Sequence, residues 1–394
     1  MIDLDRVRED TPGCRDQVFL DSAGSSLPPR QVLDEVVGHL RREAEVGGYR
    51  AAEERAEDLE EGYRVAAELL GCAPDEIAFT DSASRSWELA FSAVPLSRGD
   101  RVLISEAEYA GHAVASLHRA SVVGAVVEPV PSDTTGAVDV EALRNMLDER
   151  VRLVSLVHVP TNSGLVNPVR EVVEAAHAVG ALVLLDACQS VGQLPVRADE
   201  LGADLITTTG RKWLRAPRGT GLLVVCRSAA ERLRPPMVDL QGAEWVGPCE
   251  VRLRTDARVY ERWEFGVAQR LGLIAALRYA LELGMPAIAA EVTARAERTR
   301  AGLATLPGVR VRDPGHRRCG IVSFTVDGLP ADAVRDALRE QGITVTVSRR
   351  QSALLDMSRR GLSEVVRASP HYFVSPEQVD RFVAAVDRIV RTSG

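Results

Sequence analysis

Between Arg101 and Cys226, short apolar runs alternate with amphipathic stretches, and few folds accommodate that pattern. RVLISEAEY, VVEPV, RLVSLVHV, ALVLLDAC, ADLITTT and GTGLLVVC read as strands. HAVASLHRASVVG and VREVVEAAHAVG read as helices between them. In ALVLLD the apolar residues are consecutive, as a parallel strand covered on both faces requires. Alternation of strand and helix predicts a doubly wound α/β body, whose ligands bind beyond the carboxyl ends of the strands. Asp186 and the loop after SLVHV fall at such ends.

Upstream, PPRQVLDEVVGHLRREAEVG and AAEERAEDLEEGYRVAAELLG carry helical periodicity, the second with a charged solvent face. GVAQRLGLIAALRYALELG reads as a long, mostly apolar helix leading out of the α/β body. After residue 285 the pattern becomes helix AIAAEVTARAERTRAGLATL, strands VRVRD and GIVSFTVDG, helix ADAVRDALREQG, strand ITVTV and helix PEQVDRFVAAVDRIV. The expected organisation is a large α/β domain over 17–265, a connecting helix over 266–284, and a small α+β domain from 1–16 with 285–394.

A net charge of −8 argues against nucleic acid or an anionic membrane as partner. The start MIDLDRVRED has no apolar core of a signal peptide and no run approaches membrane length, so the expectation is a cytoplasmic protein. The six cysteines (14, 72, 188, 226, 249 and 319) lack paired spacing and read as reduced, with no metal framework.

Lys212 is the only lysine; every other cationic side chain that is permanently charged is arginine. A guanidinium stays protonated, whereas a lysine amine can be desolvated, lose its proton and attack a carbonyl. Lys212 therefore points to Schiff-base chemistry with an aldehyde. Asp186, a carboxylate at the end of ALVLLD, is a second candidate, its alternative being a turn cap.

DACQSVGQ followed by GRKWLRAPRGTG resembles a known family: the fold-type I pyridoxal-phosphate enzymes of the class V aminotransferase and cysteine-desulfurase-like group. The resemblance runs from FLDSAGSSLP to VRASPHYFVSPEQVDRFV, nearly the whole chain. It implies an α/β fold with a mainly parallel seven-stranded sheet, a smaller α+β C-terminal domain, and pyridoxal 5′-phosphate on Lys212, with Asp186 as the carboxylate that keeps the pyridine nitrogen protonated. It also implies that Gln189 and Asn162 bond the ring's phenolic oxygen and that Tyr109 stacks on the pyridine where relatives carry a histidine. The phosphate would take the Ala83 amide and Ser84 hydroxyl at a helix start, with Thr209 and Arg211 flanking the lysine. Arg367 would grip the substrate carboxylate. His112 reads as a loop residue.

Among the family's reactions, desulfuration by persulfide needs a cysteine on the loop before Arg367, and TVSRRQSALLDMSRRGLSEVVRAS has none. The expected activity is therefore a C–S lyase. It would β-eliminate an S-substituted L-cysteine or its sulfoxide to thiol, pyruvate and ammonia. This is the chemistry of ergothioneine-type lyases and of enzymes handling S-cysteine conjugates in lincosamide antibiotic biosynthesis. The alternatives are a transaminase, an epimerase or an oxidative decarboxylase of such a conjugate. Arg349 and Arg350 would meet an anionic or polyhydroxylated substituent, or are simply solvated. The family's shared active sites imply a homodimer, with PPMVDLQGAEWVG as the crossing segment and Val267 where the partner's phosphate-binding threonine would stand.

Overall fold

The computed structural model describes residues 2–393. After a two-residue strand β1 (Val18–Phe19), seven strands form the main sheet. They are β2 (Ile77–Thr80), β3 (Arg101–Ser105), β4 (Val126–Val130), β5 (Val151–Val157), β6 (Leu182–Asp186), β7 (Leu205–Thr209) and β8 (Gly221–Val225), in the order β2-β8-β7-β6-β5-β3-β4. Neighbours are parallel from β7 across to β4, and β8 alone opposes both of its neighbours. All six strands expected from the central pattern are present. The seventh, β2, has only four residues, too few to show a period. Pro129 is tolerated in β4 because that strand lies at the sheet edge and its missing N–H costs no ladder bond.

The continuous apolar run of β6 is explained by its two covered faces. Leu182 and Leu184 join a cluster with Trp87 and Phe91, whereas Val183 and Leu185 join a second with Val172 and Ala176. Helix Ala83–Ala93 lies on the first face and helix Val169–Ala178 on the second. The arrangement is the doubly wound α/β body expected from the central pattern.

Beyond an exposed hairpin of β9 (Ala243–Gly247) and β10 (Glu250–Leu253), helix Val267–Leu283 leads out of the sheet. The remaining strands are β11 (Val309–Val311), β12 (Val322–Val326), β13 (Ile343–Thr344), β14 (Thr346–Arg349) and β15 (Glu364–Ala368). Four of them make an antiparallel sheet in the order β11-β12-β15-β14, and β13 pairs with β1 instead. The segment ITVTV is thus split between two sheets. Two further helices, Ala331–Glu340 and Pro376–Ser393, accompany this sheet. Among the described residues no single helix is long and apolar enough to cross a membrane.

Candidate active site

The carboxyl ends of β5, β6 and β7 open into a cavity of about 270 Å³ that Lys212, Asp186, Gln189, Thr209, Arg211, Tyr109, Ala83, Ser84 and Arg367 all line. Such sheets bind ligands at this end because the loops that follow the strands converge there.

Lys212 stands three residues beyond β7, on a loop secured by Arg215. Arg215 is buried, donates to the Leu27 carbonyl (2.8 Å), to Tyr372 Oη (2.7 Å) and to Thr11 Oγ1, and lies over the Phe373 ring at 4.7 Å. These contacts hold it at φ +63°, a left-handed conformation that non-glycine residues rarely adopt. Burial pushes the Lys212 ammonium below its ordinary pKa, against the opposing pull of Cys188 and Asp186. A lysine so placed is closer to the neutral amine that attacks a carbonyl.

Asp186 is buried at the end of β6, and its Oδ1 accepts the Cys188 N–H at 2.8 Å. Its Oδ2 lies 3.6 Å from Nδ1 of His112. The same nitrogen is 3.3 Å from Glu108 Oε1, and the imidazole stacks on Trp87 with centroids 4.3 Å apart and planes within 5°. Expected as a loop residue, His112 is instead buried in helix Ala110–Val123, one helical turn after Glu108. That spacing, an acid followed four residues later by a histidine, was the available signal. Tyr109 caps the same helix on the cavity wall, half-exposed, its ring edge-on to His112 at 5.2 Å.

Helix Ala83–Ala93 begins at the cavity with Ser82 Oγ accepting the Arg85 N–H, which leaves the first-turn N–H groups of Ala83 and Ser84 without intrahelical partners. Gly221 backs this turn. A Cβ there would lie 2.6 Å from the Ser82 carbonyl carbon and 2.9 Å from the Ala83 nitrogen, so only glycine lets β8 pass so close. Arg211 donates to the Gly24 carbonyl and Thr209 Oγ1 to the Thr220 carbonyl at 3.4 Å.

Arg367, in β15, brings the small sheet to the cavity. Its Nη1 donates to the Thr161 carbonyl (2.8 Å) and Oγ1 (3.2 Å), and its Nη2 to Asp21 Oδ1 (3.1 Å). Sequence reasoning passed over both partners, since neither stands in a strongly patterned segment.

Several expected residues lie elsewhere. Asn162 does not line the cavity: its Nδ2 donates to buried Asp356 at 2.8 Å, and its neighbour Thr161 takes the place at the wall. Gln189 is at the wall, but its Oε1 accepts the Trp213 indole N–H (3.0 Å), leaving only its Nε2, which donates to the Ala23 carbonyl (3.0 Å). Arg349 pairs with Asp332 at 2.8 Å, and Arg350 donates to the Leu362 carbonyl, so neither reaches the cavity. Arg349 stays at the exposed surface of the small domain, and Arg350 is drawn back onto its own loop. Val267 begins its helix outside the cavity of its own chain, and Cys319 is buried core as expected.

The cavity thus offers a desolvated amine, a buried carboxylate, a helix start beside a hydroxyl and an arginine, and a second arginine whose buried Nε has no partner among the described residues. Pyridoxal phosphate uses each of these: amine for aldehyde, carboxylate for ring nitrogen, helix start for phosphate. The residues present fit it.

The chain matches the family model "Aminotransferase class-V" over residues 18–382. It is 32% identical to a probable cysteine desulfurase 2 of Mycobacterium leprae, over 98% of this chain and 96% of that one. The apo structure of a cysteine desulfurase from Thermococcus onnurineus superposes with a TM-score of 0.91 at 26% identity, covering 100% and 99% of the two chains. A C-DES structure with glycine covalently linked to the PLP cofactor shares the fold at a TM-score of 0.88 and 23% identity, covering 96% and 98%. The relatives named cysteine desulfurases overturn the expected C–S lyase of the ergothioneine or lincosamide type, and the cysteine-free loop before Arg367 does not exclude desulfuration. A thiol brought from outside the chain can take the same sulfur. The chain belongs to the class V aminotransferase family of pyridoxal-phosphate-dependent enzymes and is cysteine desulfurase-like within it.

Proposed function

We propose that the protein removes sulfur from L-cysteine, forming L-alanine and passing the sulfur to a thiol that is not its own. What carries this reading is Arg367, an arginine buried beside Lys212 with one face toward the cavity and fitted to an amino acid's carboxylate, in a chain whose relatives are named cysteine desulfurases.

Bound pyridoxal phosphate supplies the electron sink that weakens the bonds at Cα. Lys212, its ammonium disfavoured by burial, takes and returns the proton at Cα. Asp186 holds the ring nitrogen's proton, Ala83, Ser84, Thr209 and Arg211 hold the phosphate, and Tyr109 covers the ring. Arg367 orients the substrate by its carboxylate.

The balance is one for one. The substrate Cβ–S bond breaks, an S–S bond forms on the acceptor thiol, Cβ is reduced and the acceptor sulfur is oxidised to a persulfide. Cys188, the one cysteine lining the cavity, is a poor acceptor because burial raises its thiol well above the ordinary range and keeps it protonated. Incubating the loaded protein with L-cysteine and dithiothreitol tests the reaction. Equal amounts of alanine and sulfide are expected, and pyruvate in place of alanine overturns the proposal.

The functional unit is a dimer of two copies. Leu240, Trp245, Val251 and Trp263, all more than half exposed, form an apolar surface around the β9–β10 hairpin that a second copy would cover.

A further inference from the structure

We propose that His112 is a positioning residue for the cofactor's ring nitrogen and that it acts through Asp186. It depends on the chain binding pyridoxal phosphate and is independent of which amino acid is the substrate. Two buried carboxylates, those of Glu108 and Asp186, converge on the single nitrogen Nδ1 of His112, at 3.3 Å and 3.6 Å. Left to themselves, two such carboxylates repel and turn apart. Nδ1, set between them, presents one polar edge to both carboxylates and keeps Asp186 turned toward the ring.

The rest of the environment fixes the imidazole in this role. Trp87, from helix Ala83–Ala93, stacks flat on one face and fixes the plane of the imidazole. Tyr109 meets it edge-on. Glu108 is itself anchored, accepting the Ser155 hydroxyl from β5 at 2.9 Å and the Tyr109 N–H at 2.9 Å, so it cannot turn away. Asp186 is fixed at its other oxygen by the Cys188 N–H. The remaining charged groups lining the cavity are Lys212 and Arg211, from the loop after β7, and Arg367 from β15. A chain therefore runs Ser155–Glu108–His112–Asp186 and ends where a ring nitrogen would lie.

The test compares pyridoxal phosphate with its deaza analogue, in which carbon replaces the ring nitrogen. His112→Phe keeps an aromatic ring on Trp87 and removes both nitrogens. It should weaken binding of pyridoxal phosphate about tenfold, the equivalent of one lost polar contact. Binding of the deaza analogue should be unchanged, and the visible band of bound pyridoxal phosphate should shift in its pH titration. His112→Asn, which keeps a donor near Nδ1, should restore most of the affinity. Equal weakening of both cofactors, or no change with either, overturns the proposal. Should His112→Phe not fold, Glu108→Gln reports on the same chain from its other end. It must weaken the natural cofactor more than the analogue, and equal effects there overturn the proposal too.

Discussion

Arg367 and Asp21 meet at the cavity with Nη2 3.1 Å from Oδ1, and the arginine is only 6% exposed. Burial raises the Asp21 carboxyl above its ordinary pKa even with Arg367 beside it. A second carboxylate, from an amino acid, therefore finds an arginine already desolvated and only partly neutralised, with Nε unpartnered. Such a group binds an anion more strongly than a solvated arginine does.

Replacing Arg367 by Lys removes the fork and one hydrogen bond while retaining the charge. The KM for L-cysteine should rise about a hundredfold, the loss of one or two charge-assisted hydrogen bonds, with kcat reduced much less. Steady-state kinetics separate the two parameters. An unchanged KM would place the carboxylate elsewhere.

Lys212→Ala should lower turnover at least about a thousandfold, the contribution of a positioned acid–base group. The variant should still take up pyridoxal phosphate through the phosphate and ring contacts. Borohydride treatment should fix the cofactor to the wild-type protein at Lys212 and leave the variant unlabelled, as peptide mass mapping would read.

His158 is buried behind the site with Nδ1 3.0 Å from Ser190 Oγ, and burial, with Arg317 adding to it, depresses its pKa from 6.5 to about 4. Folded, it stays neutral down to that pH, whereas the unfolded chain takes up a proton near 6.5. The unfolded state binds more protons in that window, so stability is full above pH 6.5 and falls as pH drops toward 4, by about 3 kcal/mol for this group. Urea midpoints across that range should follow this slope, and His158→Gln should flatten it. His371, depressed in the same direction by burial, adds to the effect.

Trp245 is 73% exposed at the β9–β10 hairpin, and Trp245→Glu should shift the protein from dimer to monomer in sedimentation equilibrium at micromolar concentration. A wild-type protein that sediments as a monomer would remove the shared-site reading.

Much of this was legible in the chain. Six of the seven main-sheet strands announced themselves, β6 most plainly because burial on both faces makes it an uninterrupted apolar run, whereas β2 is too short to do so. Lys212 stood out as the only lysine and Asp186 as a carboxylate closing an apolar strand, whereas Arg367, one arginine among many, was legible only through the motif around it. What escaped was governed by side-chain direction. Asn162 and Thr161 are adjacent, and only the backbone decides which faces the cavity and which faces Asp356. Arg349 and Arg350 looked available because sequence does not show that Asp332 and the Leu362 carbonyl are already beside them. His112 escaped because its partners, Trp87 and Asp186, come from distant segments. The reaction itself was misjudged by treating an absent loop cysteine as decisive.

The most direct test of the account follows L-cysteine turnover with and without an added thiol, measuring alanine, pyruvate and the intact mass of the protein. The account predicts alanine that rises with thiol concentration, no pyruvate, and a chain that gains no sulfur when thiol is withheld. Pyruvate with ammonia, or alanine formed without thiol together with a persulfide on one of the chain's own cysteines, would contradict it.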